Sequence, residues 1–145
     1  MLCCHGGATV NNVDILDQRD RNGRTLFRVT KKIRFQFGPY AESVVPRGYV
    51  SNLGSIPRIP GLWWFVSPVD YPLPFIHHDH NSNENVAPEN FDTDPSNDMM
   101  FESGMSRWMA DSILYEHLCT VGVPFLKRYA IWIAVRLYAR YRGLK

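Results

Sequence analysis

A chain of 145 residues, 45% hydrophobic and 21% charged, can bury a core without staples, so wholesale disorder is excluded and one domain over 1–145 is expected. Its net charge of +2 gives no specific indication of a nucleic-acid partner. Met1-Leu2-Cys3-Cys4-His5 lacks the basic start and apolar core of a signal peptide, and no apolar run nears the roughly 20 residues that span a bilayer.

Residues 13–50 read as the β-rich part. Val13, Ile15 and Leu16 suggest a first strand, and Asn22-Gly23 is a turn signal because this pair readily takes positive φ. From Arg24 to Phe37 apolar and polar residues alternate, with Ile33, Phe35 and Phe37 on one parity and Arg34 and Gln36 on the other. Such a period of two predicts one long strand or two shorter ones, half exposed. A further strand from Ser43 to Val50 is expected to bend at Pro46-Arg47-Gly48. Residues 51–71 form an irregular aromatic segment, since Pro57, Pro60 and Pro68 oppose a regular helix around Leu62, Trp63, Trp64 and Phe65.

Residues 72–143 read as helical. Pro72 or Pro74 suits a first turn and places His77 to His80 inside a helix. A long acidic loop over 81–104 follows, rich in Asn, Asp, Glu, Pro and Ser. Ser106 is a candidate cap for a second helix ending near Thr120, and Gly122 and Pro124 punctuate it. The last helix, from about Pro124 to Tyr141, is expected to bury Leu126, Ala130, Ile133 and Leu137 at three-and-four spacing. Ten of the 14 acids lie between Asp70 and Glu116, and the tail beyond is purely basic. That segregation implies an internal match, an anionic partner or simply a solvated basic helix. Cys3, Cys4 and Cys119 form no disulfide framework, which fits a reducing compartment.

Chemistry points to His77-His78-Asp79-His80, taken with Asp111 in the second helix. Histidine titrates near neutral pH and serves as acid, base or ligand. Asp111 sits on a face with Trp108, Tyr115 and Leu118, where a carboxylate is costly unless paired or functional. Two pairings are open: Arg58 or Arg107 neutralises Asp111, or Asp111 orients the His78 ring. His77 and His80 stand a turn apart and could share a metal; the competing reading is a buried structural histidine with solvated neighbours.

Val45-Pro46-Arg47-Gly48-Tyr49, Ser55-Ile56-Pro57-Arg58, His78-Asp79, Ala110-Asp111 and Ala134-Val135-Arg136-Leu137-Tyr138 together resemble a phage and prophage family of unknown function numbered 1353. The family pattern runs Val-Pro-x-Gly-Phe/Tyr, Thr-Asp-x-x-Ser-Ile/Val-Pro-Arg, His-Asp-x-x-Tyr, Ala-Asp-x-x-Phe and a closing aromatic-basic helix. The likeness covers about residues 24–143 in the same order. Asn52 replaces the family's acid, and Ser82 its tyrosine. The His-Asp helix followed by a later helical Asp is also similar, locally, to secreted phospholipases A2. That likeness implies His78 as the base that activates water, Asp111 as its orienter and Asp79 as a calcium ligand.

The expected architecture is therefore α+β, an N-terminal antiparallel β-sheet with three C-terminal helices. The first functional expectation is a phage-encoded hydrolase-like protein. In it His78 and Asp111 are catalytic, Ser55 and Arg58 meet substrate, and Asp79 with Asn52 holds a divalent cation, calcium or zinc. The alternative is a non-enzymatic virion- or tail-associated accessory protein, its cluster a core hydrogen-bond network and its last helix a docking surface for other phage or host proteins. Either role places the protein in the virion or the host cytoplasm. A membrane-surface role for the last helix is a third reading, opposed by basic residues spread around that helix.

Overall fold

The computed structural model describes residues 12–19, 23–39, 41–53, 61–82, 106–141 and 143. The expected α+β order is observed: five strands, then helices. Strands β1 (Val13–Arg19), β2 (Thr25–Val29) and β5 (Val50–Ser51) form one antiparallel sheet in the order β1-β2-β5. Strands β3 (Ile33–Phe37) and β4 (Ala41–Val45) pair separately as a hairpin, with Phe35 opposite Ser43. The antiparallel region is thus split in two, and the alternating stretch becomes two strands broken at Thr30–Lys32. Ile33 is buried while Arg34 and Gln36 face out, as the alternation requires. The bend between β4 and β5 is made by Gly48 at φ 87°, a left-handed conformation that suits glycine.

Helix α1 (Leu62–Phe65) is a single turn, and a 3-10 turn follows at Pro68–Asp70. The prolines keep the segment short, as expected, but do not abolish helix. Helix α2 (Pro72–Asn81) starts on Pro72, whose missing N–H costs nothing in a first turn. Helix α3 (Arg107–Thr120) is capped by Ser106, whose Oγ accepts from Met109 N–H at 3.2 Å. It ends in a Schellman motif: Val123 N–H donates to Leu118 O and Gly122 N–H to Cys119 O, both at 3.0 Å, with Gly122 at φ 81°. Helix α4 (Phe125–Tyr141) packs on α3.

Two expected faces are corrected. On α4 the buried residues are Ile131, Val135 and Ala139, whereas Leu126 and Leu137 are 73% and 62% exposed. On α3, Trp108 turns outward while Arg107, Ala110, Asp111, Leu114 and Leu118 turn inward. The core joins Phe27 and Val29 of β2, Val45, Tyr49, Phe75 and Ile76 to Leu114, Leu118, Ile131 and Val135 of the last two helices. Helix α2 lies between them, against β4, β5 and α3. No helix among the described residues is long and apolar enough to cross a membrane.

Candidate functional site

Every residue of α2 from Leu73 to Asn81 is buried, including three histidines, an aspartate and an asparagine. A polar helix can sit inside a protein only if its side chains find partners there. Each neighbouring element supplies one. From β4, Ser43 Oγ donates to Asn81 Oδ1 at 2.9 Å and lies 2.7 Å from His77 Nδ1. With its single proton committed, Ser43 receives the N–H of His77. From β5, Ser51 Oγ donates to Asp79 Oδ2 at 2.5 Å and accepts from Leu53 N–H at 3.0 Å. Tyr49 stands edge-on to the His80 ring, with centroids 5.2 Å apart.

The tightest charge cluster joins all three long helices at Asp111. His78 Nε2 of α2 donates to Asp111 Oδ1 at 2.6 Å, Arg107 Nε of α3 to the same oxygen at 3.1 Å, and Arg136 Nη1 of α4 to Oδ2 at 3.0 Å. Burial pushes the Asp111 carboxyl up, but the His78 bond and charge, the Arg136 bond and the Arg107 charge outweigh it and hold the group below its ordinary range. Both pairings foreseen for Asp111, with Arg107 and with His78, are present together. The side chains of His78 and Asp111 are 0% and 1% exposed.

A second polar group lies beside the first. His117 of α3 stacks on Phe35 with centroids 4.0 Å apart and meets His77 edge-on at 5.0 Å. Burial lowers the His117 pKa to about 4. His77 is also held well below its ordinary value, first by burial and then by the charges of His117 and His80. These two rings are neutral in the folded protein at physiological pH.

The structure brings His78 and Asp111 together and places Asp79 on the same helix, facing β5. Asn52 is half-buried and lines a separate cavity of about 190 Å³ with Arg19, Arg24 and Thr25, of which Asp79 is no part. The guanidiniums there oppose a cation, and the buried Asp79 carboxylate is held by a hydroxyl. Among the described residues no group of three or more His, Cys, Asp or Glu side chains could hold a metal ion. Asp79, the carboxylate to which the resemblance gives the divalent cation, belongs to no such group among the described residues. Ser55, Arg58 and most of the acidic loop lie outside the described residues.

The family model described as "Protein of unknown function (DUF1353)" matches residues 27–135. The chain belongs to the DUF1353 family. No curated protein and no solved structure matches it. The DUF1353 match takes in His78, Asp79 and Asp111 together with the serines that hold α2, and it ends one residue before Arg136. Arg136, Ser43, Ser51 and His117 were not singled out from the sequence. Their role depends on contacts between distant segments, and a serine in a strand or a histidine in a helix carries no local mark of that. Arg136 alone left a trace, inside the Ala134-Val135-Arg136-Leu137-Tyr138 motif of the closing helix.

Proposed function

We propose that the protein is a non-enzymatic, virion- or tail-associated accessory protein of phage or prophage origin, with His78 and Asp111 in a buried network that joins its helices and Asp79 tying α2 to β5. The phage setting rests on the motif order described above. The observation that most supports a structural role for the cluster is the burial of His78, which has no accessible surface. A general base must come within about 3 Å of the proton it removes. The cavities of about 320 Å³ and 190 Å³ among the described residues are not lined by His78, Asp79 or Asp111. The outer face of α4 supports docking to a partner: Leu126, Leu137 and Tyr141 lie on one side of the helix and are all well exposed.

The hydrolase-like reading keeps one observation in its favour, the 2.6 Å bond from His78 to Asp111, the geometry of a base and its orienter. Density-gradient-purified particles separate the two. The accessory role expects the protein in particles at a fixed copy number, by quantitative mass spectrometry. Absence from particles, combined with ester hydrolysis that His78→Ala abolishes in a folded variant, would reverse the choice.

A further inference from the structure

Where β3, α3 and α4 meet, aromatic side chains surround a cavity of about 320 Å³, within the range of small-ligand sites. Phe125, Tyr129 and Trp132 form a ladder along α4, each ring within 25° of parallel to the next and about 6 Å from it. Tyr115 of α3 closes the corner, at 73° to Trp132 with centroids 6.3 Å apart, and Phe37 completes the wall. Besides the rings, the described lining is Ser112 and Glu116, on the same α3 face, with no basic residue among the described residues there. Ser112 Oγ donates its proton to Trp108 O at 2.9 Å, so toward the cavity it can only accept. Among the described residues the Glu116 carboxylate has no hydrogen-bond or ion-pair partner.

Ring faces carry negative potential, a carboxylate carries charge, and a committed hydroxyl offers lone pairs; all three are complementary to a cation and none to an anion. The rings already act this way on their other flank. The Arg128 guanidinium stands 5.5 Å from the centroids of both Tyr115 and Phe125, and among the described residues Tyr129 and Trp132 have no such cation beside them. We infer that this cavity binds a small organic cation, an ammonium group on a compact apolar body, seated against Tyr129 and Trp132 with Glu116 as counter-ion. The site lies apart from the His78–Asp111 network and does not depend on the role given to that network.

Choline and its uncharged carbon isostere, 3,3-dimethylbutan-1-ol, test it on the purified full chain, with phenylacetate as the anionic control. The readout is the Trp132 indole N–H shift in NMR, assigned through Trp132→Phe. Choline is expected to give saturable shifts, with the isostere roughly tenfold weaker and phenylacetate without effect. Glu116→Gln, a conservative change at a partly exposed position, is expected to weaken choline several-fold. Trp132→Leu is expected to remove it. Equal binding of choline and isostere, stronger binding of phenylacetate, an unchanged affinity in Glu116→Gln, or no saturation with choline would each overturn the inference.

Discussion

Asp111 takes hydrogen bonds from three helices through two oxygens. Such a carboxylate is less a source of net stability than a point where loss is severe, because two of its partners, His78 and Arg107, are buried with it. Asp111→Asn keeps the shape and removes the charge, leaving the buried Arg107 inside without a counter-ion. It is expected to cost about 3–5 kcal/mol, read from the shift in urea midpoint at neutral pH. A loss under about 1 kcal/mol would mean that the arginines reach water on their own. At this scale the sequence was informative where partners are encoded by type and spacing. His78-Asp79 and Asp111 announce themselves as titratable groups among apolar neighbours. Ser43 and Ser51, equally engaged, are small residues in strands whose partners lie 34 and 28 residues away.

Strand existence and helix ends were legible because each rests on local rules: alternation in β3, a serine at the α3 start, a glycine past its end. Helix faces were not. Helix α4 carries apolar residues on nearly every side, so two four-spaced stripes compete, one with Leu126 and Leu137 and one with Ile131, Val135 and Ala139. The stripe of Ile131, Val135 and Ala139 is the buried one, and the leucines face out. Ile131→Ala is therefore expected to cost about 2–5 kcal/mol, and Leu126→Ala to stay within about 0.5 kcal/mol. Thermal unfolding of the two variants checks the rotation; equal losses would restore the leucine stripe. Helix α2 departs differently: the reading of one buried histidine with solvated neighbours fails because His77, His78 and His80 are all buried. Its neighbours close around it completely, which no periodicity within ten residues reveals.

Across the molecule, the acidic block and the basic tail meet at one described ion pair, Arg136 to Asp111, so part of the charge segregation is an internal match. The buried histidines set the pH response. His117 and His77 have folded pKa values below the ordinary 6.5, so the unfolded chain binds protons that the folded one refuses. Stability is full above about pH 6.5 and falls as pH drops toward 4, His117 alone accounting for a loss on the order of 3 kcal/mol. The depressed Asp111 adds a second loss below about pH 4, as its carboxylate protonates. His117→Phe, which preserves the stack on Phe35, is expected to flatten the first decline and leave the second. Urea midpoints from about pH 2 to about pH 7 measure it, and an unchanged slope above about pH 4 would remove His117 from the account. The Asp111 junction also bears on how the chain reaches and leaves its folded state. One partner stands 33 residues before it and another 25 after, so its bonds are complete only when the outer helices have both docked. Interactions that assemble late hold the folded state shut more than they hasten its formation. Asp111→Asn is thus expected to raise the unfolding rate while the folding rate changes little, so that stopped-flow unfolding registers most of its cost.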